Sequence, residues 1–392
     1  MQKQAQTAAR KATASKNEGR AFCLLMAFFL IFEVFLTAVV LTRSFSAKPS
    51  KPQPPIDTED TTYTTDTGDE PTVLPVFSGG VIPSTPKETA ETKEITTLYS
   101  QYALLVDAES GEIVAGKGAD VTFSPASMAK IMTLIVICEN LSLEDLDQRI
   151  TLTQDVTEYV MTGIYENADT SLIKIDKTTG QNLYTGDQFI IRDLIYGIGV
   201  ASAADCTLML VSKICPAASL AESEQAFVEL MNQKAEDMGL PNTHFDNAVG
   251  LESASTKTTA IEMATIMSYA MQSELIVDVL SVKEKNILSY YMDNGVEKTV
   301  TFYLKSTLFH SRMNSYKSHY NIDFNLQTAN LIAGKTGRLT EDDNPKMTKI
   351  SNLACLLKGK ISTKTYILIV ADCSQLYETM KDVKTIADTY IQ

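Results

Sequence analysis

Ser124-Pro125-Ala126-Ser127-Met128-Ala129-Lys130-Ile131-Met132-Thr133 is the stretch from which the rest of the chain is read. A serine N-cap followed by proline at the first helical position predicts a helix starting here. Ser127 then falls in the first turn. There, unpaired backbone N–H groups and the positive end of the helix dipole favour developing negative charge. Lys130 lies three residues on and shares its face. The run from Ile131 to Cys138 is apolar nearly all round, which predicts a helix buried in a core. Burial disfavours an ammonium and lowers its pKa, so Lys130 is a candidate base for Ser127 near neutral pH.

A Ser-x-x-Lys by itself is common, and most copies are a surface cap followed by a solvated lysine. Far downstream, Lys335-Thr336-Gly337 adds a second amine, although alone it reads equally well as an ordinary strand end. The order of the two motifs, their separation and the buried helix after the first point together to a serine nucleophile served by lysine. The chain has three histidines, His244, His310 and His319, so a Ser-His-Asp triad has few candidates for its central member.

Composition narrows the classes further. The 392 residues are 44% hydrophobic and 21% charged, enough for a substantial globular core with appendages. The net charge of −14 argues against a nucleic-acid partner, which needs a basic face. Six cysteines (Cys23, Cys138, Cys206, Cys215, Cys355, Cys373) show no Cys-x-x-Cys spacing. With so few histidines no metal site is read, and no disulfide framework either.

Ala21 to Leu41 is an apolar run long enough to span a bilayer. Lys3, Arg10, Lys11, Lys16 and Arg20 precede it against one acid, Glu18. The positive-inside rule then gives a cytoplasmic N-terminus over 1–20, an anchor over 21–42 and an exported remainder. A cleaved signal peptide is the rival, but Ser44-Phe45-Ser46-Ala47 is a poor small-residue cleavage site. Glu33 lies mid-span and has no named partner. Residues 43–97 are rich in Pro, Thr, Ser, Lys and acids, which predicts a disordered linker with no packed core.

Residues 98–392 read as one mixed α/β domain. A hairpin is expected over 101–107 and 111–116, turning at Glu109-Ser110-Gly111. Helices are expected over 125–140, 191–213 (with Ser202 near a break), 224–238 closing at Gly239, and 259–272. Apolar, β-branched runs at 329–335, 351–358 and 364–372 predict antiparallel strands. Leu376 to Ile391 looks like one helix packing back on that sheet. Residues 283–329 read as a surface hairpin rather than a variable loop by the cleft.

Taken together, these residues resemble the D-alanyl-D-alanine carboxypeptidase family of serine penicillin-binding proteins, over roughly 98–375. Tyr102 to Gly111 resembles the family's opening strand and turn, and Ser124 to Thr133 its nucleophile block. Phe227 to Ala235 is similar to a later helix, and Thr243-His244-Phe245-Asp246-Asn247 with Gly250-Leu251 to the loop after it. Ser351-Asn352-Leu353-Ala354-Cys355-Leu356 resembles the strand beside Lys-Thr-Gly. The counterpart of the family's Ser-x-Asn is Ser202-Ala203-Ala204, so alanine replaces the asparagine that orients lysine and substrate. Asp205 is a candidate to offset the loss. Thr256 stands where the family often has histidine, a change expected to matter for loop packing.

The resemblance implies a β-lactamase/transpeptidase-like α+β fold: an antiparallel five-stranded sheet flanked by helices, plus an all-helical lobe, with the site between them. It implies Ser127, Lys130 and Ser202 as catalytic residues, and Lys335, Thr336, Gly337 and Arg338 as substrate-binding residues. Neither metal nor cofactor is called for. The implied partners are a peptidoglycan stem peptide ending in D-Ala-D-Ala and β-lactams as covalent inhibitors, with a membrane anchor at 21–42. In the implied chemistry, Lys130 takes the proton of Ser127, which attacks the terminal peptide bond. The oxyanion sits between the N–H groups of Ser127 and Arg338, and Ser202 relays a proton to the leaving amine. Alternatives are a wall-binding protein weakened by Ala204, a β-lactamase, or a transpeptidase sharing the same motifs.

Overall fold

The computed structural model describes residues 75–392 apart from 163, 164, 166, 167, 175–181, 310–324, 342 and 343. In chain order, β1 (Lys93–Glu94), β2 (Tyr102–Asp107) and β3 (Ile113–Lys117) come first. Helix α1 (Lys130–Asn140), β4 (Arg149–Thr151), α2 (Gln154–Val160) and β5 (Gln188–Ile190) follow. Next come α3 (Ile191–Ala201), α4 (Ala204–Ile214), α5 (Leu220–Asp237), α6 (Ala260–Ala270) and α7 (Glu274–Ser281). The chain then runs through β6 (Glu284–Asp293), β7 (Val296–Lys305), β8 (Ala329–Glu341), β9 (Asn344–Gly359), β10 (Thr365–Cys373) and α8 (Leu376–Tyr390).

The main sheet has the order β1-β3-β2-β10-β9-β8. The five expected strands are antiparallel neighbours, and the two-residue β1 adds a parallel edge beside β3. Strand β10 is buried along nearly its whole length because both faces are covered. Its Ile367, Ile369 and Ala371 join Leu104, Val106 and helix α1 in the larger core. The alternate residues, Leu368 and Val370, join Leu105, Leu353 and Leu357 against Met380, Val383 and Ile386 of α8. The last helix therefore packs back on the sheet, as its sequence leads one to expect. The opening hairpin forms where expected, and Asp107 Oδ1 accepts from the N–H groups of Glu109 (3.0 Å) and Ser110 (3.3 Å) to hold its turn.

Three expectations need correction. The lobe beside the sheet is not all-helical: it carries a second sheet in the order β4-β5-β6-β7. Its long hairpin, β6–β7, turns at Asn294-Gly295, both at positive φ (50° and 79°), which suits the tight turn of a right-twisted hairpin. The expectation of a surface hairpin in 283–329 is met by β6–β7; residues 310–324 lie outside the described residues.

Second, the linker expectation over 43–97 fails for residues 75–97. Val76 and Phe77 donate to the carbonyls of Leu141 (2.8 Å) and Cys138 (2.9 Å), satisfying orphan acceptors where α1 ends. Phe77 is buried against the ring of Tyr269, and Ile95 is buried with the opposite core. Residues 1–20, 21–42 and 43–74 lie outside the described residues. Among the described residues no helix is long and apolar enough to cross a membrane.

Third, Ser124 does not cap a helix. The chain enters through a 3₁₀ turn over Ala126–Ala129 with no side-chain cap, and regular helix starts only at Lys130. Ala126 takes φ 49°, a left-handed conformation that is costly for a residue with a Cβ.

Candidate active site

The nucleophile turn is held from two sides. Asn352, buried in β9, donates from Nδ2 to the Ser124 carbonyl (2.8 Å) and accepts the Asp372 N–H at Oδ1 (2.8 Å). Gly337 of β8 passes so close that an added Cβ would stand 2.5 Å from the Pro125 carbonyl. On the other side, Gly250, at φ 76°, would place a Cβ 2.0 Å from the Ala126 carbonyl. Both glycines are therefore demanded by close approach of backbone to the strained turn.

Ser127 is half-buried and Lys130 is buried. Lys130 Nζ donates to Ser127 Oγ at 3.1 Å and to the Val249 carbonyl at 2.8 Å. That carbonyl belongs to a loop wound around Asn247. Asn247 Oδ1 accepts from the N–H groups of Val249, Gly250 and Leu251, and its Nδ2 donates to the Leu251 carbonyl. Thr133 Oγ1 ties the same loop to α1 by donating to the Ala248 carbonyl at 2.6 Å.

The second motif lies at the break between α3 and α4. Ser202 closes α3 at φ 61°, a left-handed turn that presents its hydroxyl to β8. Lys335 Nζ donates to Ser202 Oγ and to the Thr336 carbonyl, both at 2.9 Å. Thr336 Oγ1 donates to Thr307 Oγ1 at 2.7 Å. Ser127, Ser202, Thr336, Gly337 and Arg338 line one small cavity of about 30 Å³, together with Asp169 and Thr307. Lys130 and Lys335 join these five through their bonds to Ser127 and Ser202, so all seven residues singled out in the sequence are brought together.

Charge separates the two amines. Burial, and then the neighbouring ammonium of Lys335, pushes Lys130 well below its ordinary value, with Asp169 acting the other way. Burial lowers Lys335 to about 7, again against Asp169. At Lys130, repulsion from Lys335 thus adds to the effect of burial. A buried amine with a depressed pKa, hydrogen-bonded to a hydroxyl, is the arrangement general-base activation of serine requires.

Asp205 does not fill the gap left at position 204. Its buried carboxylate is taken up by the backbone N–H groups of Ser171, Leu172, Ile173 and Cys206. Thr256 is a loop-packing residue, as expected: its Oγ1 accepts from Asp246 N–H and from Ser253 Oγ. The sequence reading missed Asp169, Thr307, the Val249 carbonyl and the roles of Asn247 and Asn352. Asn352 carried a signal, a lone amide in an apolar strand. Nothing local marks the others.

A family profile described as D-alanyl-D-alanine carboxypeptidase matches residues 87–323. A D-alanyl-D-alanine carboxypeptidase of Streptomyces sp. (strain K15) is 28% identical over 208 residues, 53% of this chain and 66% of that protein. DacF of Bacillus subtilis (strain 168) is 25% identical over 210 residues, 53% of this chain and 46% of its own. DacC of Escherichia coli (strain K12) is 30% identical over 176 residues, 45% of this chain and 40% of its own. The matched regions span less than two thirds of these relatives. Among solved structures, the Streptomyces K15 DD-transpeptidase superposes with a TM-score of 0.58 at 24% identity, covering 74% of this chain and 96% of that one. Penicillin binding protein 5 from Haemophilus influenzae gives 0.52 at 19%, covering 74% and 70%. At these identities the superpositions speak for the fold alone.

Proposed function

The chain belongs to the D-alanyl-D-alanine carboxypeptidase family, and from that premise we propose that it is a serine-type D-Ala-D-Ala carboxypeptidase. It would trim the terminal D-alanine of peptidoglycan stem peptides through an acyl-enzyme on Ser127. The observation that carries this reading is the dry amine of Lys130, 3.1 Å from Ser127 Oγ.

In the proposed sequence Lys130 Nζ takes the Ser127 proton as Oγ bonds to the carbonyl carbon. The oxyanion develops at the nucleophile turn, between the N–H groups of Ser127 and Arg338. The C–N bond breaks as Ser202, hydrogen-bonded to Lys335, relays a proton to the leaving amine. Lys335 and Thr336 meet the terminal carboxylate, and the peptide lies along β8 as an added strand. Water then hydrolyses the ester. A β-lactam enters the same path and stays on Ser127.

Incubation of the whole protein with a fluorescent penicillin, beside Ser127→Ala, tests the acyl-enzyme. Labelling of wild type alone is expected; an unlabelled wild type would sink the reading. Ala204 favours a second reading, a wall-binding protein that acylates slowly and releases little product. D-alanine release from a stem pentapeptide separates the two. We further propose that 21–42 anchors the protein in the membrane with the catalytic domain outside. Accessibility of the intact protein to protease in spheroplasts is the check, and protection of residues 98–392 would refute it.

A further inference from the structure

Among the described residues that line the cavity, one is an acid. Asp169 lines the cavity together with Ser127, Ser202, Thr336 and Arg338. Its backbone carbonyl accepts the Ala204 N–H at 2.7 Å, so residue 169 lies directly against the position where the family's amide has become a methyl group. The next residue, Asp205, clamps the same segment. Its carboxylate takes the N–H groups of Ser171 (3.0 Å), Leu172 (2.7 Å) and Ile173 (3.1 Å). The clamp fixes the backbone beside residue 169 onto the first turn of α4.

We propose that Asp169 is a positioning residue of this site: its carboxylate stands in for the side chain that position 204 lacks, and balances the positive charge shared by Lys130 and Lys335 as Ser127 is acylated. The proposal rests on the acyl-enzyme reading above. Removing the Ser127 proton converts the neutral amine of Lys130 into an ammonium, in a dry site already facing a second cation. Like charges repel strongly at that depth. A carboxylate at the rim of the cavity favours the ammonium while it exists, as the aspartate of a Ser-His-Asp triad steadies the imidazolium, but more weakly because water screens it. An amide offers a donor and an acceptor but no charge, whereas a carboxylate offers charge and acceptors only. Asp169 works against burial at both lysines. Among the described residues, the charged groups at the cleft are Asp169, from the segment before β5, and Arg338 of β8, which line the cavity, with Lys130 of α1 and Lys335 of β8 bonded to its Ser127 and Ser202. Asp205 is spent on backbone amides.

The test is the acylation rate with a fluorescent penicillin across a pH series, for wild type, Asp169→Asn and Asp169→Glu. Without the negative charge both lysines hold their protons less firmly. The rising limb, where Lys130 must lose its proton, and the falling limb, where Lys335 must keep its own, both move to lower pH. The rate at the optimum falls by about 10-fold. Asp169→Glu keeps both limbs near their wild-type positions. A slower Asp169→Asn with unmoved limbs would mean a merely structural residue and would overturn the proposal, while a labelled wild type leaves the acyl-enzyme reading standing. An unlabelled wild type removes that reading and the proposal with it. Asp169 is exposed at the rim, so the fold is expected to survive, and thermal melting checks it. Should Asp169→Asn not fold, the limbs of Asp169→Glu decide: displaced limbs refute the proposal.

Discussion

The cleft is built from two serine–lysine pairs that match in geometry and differ in electrostatic surroundings. Lys130 donates to Ser127 and to a backbone carbonyl, and Lys335 donates to Ser202 and to a backbone carbonyl. Both amines are buried. Yet the ammonium of Lys335 adds to burial in lowering Lys130, while burial brings Lys335 down to about 7. Under the proposed function these two similar contacts take opposite roles, base and cation, because two ammonium groups repel in one dry cleft.

Swapping out one amine at a time is the harshest way to break this comparison. Lys130→Ala should lower the acylation rate by at least ~10⁴-fold, as when the unit holding a serine nucleophile is cut. Lys335→Ala should cost about 10²–10³-fold, the scale for losing one electrostatic stabiliser, and weaken binding as well. Stopped-flow labelling with circular dichroism as a fold check measures both. Equal losses would erase the distinction.

The pH profile sharpens it. Acylation should climb as Lys130 loses its proton, then fall through about 7 as Lys335 loses its own, giving a bell whose maximum lies on the acid side of 7. A rate that only rises through that pH would show that Lys335 need not be charged.

Gly337→Ala probes whether the pairs depend on strand β8 touching the nucleophile turn. With only 2.5 Å between the new Cβ and the Pro125 carbonyl, strand or turn must move. We expect about 1–3 kcal/mol of lost stability by chemical denaturation and slower acylation. A lysine far from the cleft gives the smallest effect. Lys364 meets Asp107 at 2.7 Å, but its side chain is 51% exposed. Lys364→Ala should leave acylation at the wild-type rate and lower the melting temperature slightly, since buried Asp107 loses a cation but keeps the N–H donors of Glu109 and Ser110.

Most of the fold was legible because its signals are local. The apolar run after Lys130, the β-branched runs at 351–358 and 364–372, and Gly239 closing α5 each reflect a periodicity or a backbone requirement. Even the break at Ser202 appears as the end of one helix and the start of the next. The failures are instructive in the same terms. Residues 75–97 look coreless, yet a few apolar side chains and the free carbonyls at the end of α1 suffice to dock them. Ser124-Pro125 has the composition of a cap, but β9 and Gly250 press the chain into a 3₁₀ turn instead.

By itself the sequence determined that a hydroxyl and an amine lie one turn apart at the head of a buried helix, and that a second lysine sits on a strand. Those facts follow from covalent spacing within single elements. Only the tertiary structure decided that the two amines come into one buried cleft, that Val249 lends a carbonyl to one of them, and that the Asp169 carbonyl meets the Ala204 N–H. The reason is physical: burial, repulsion and backbone acceptors arise from segments far apart in the chain, and they exist only once packing has excluded water between them.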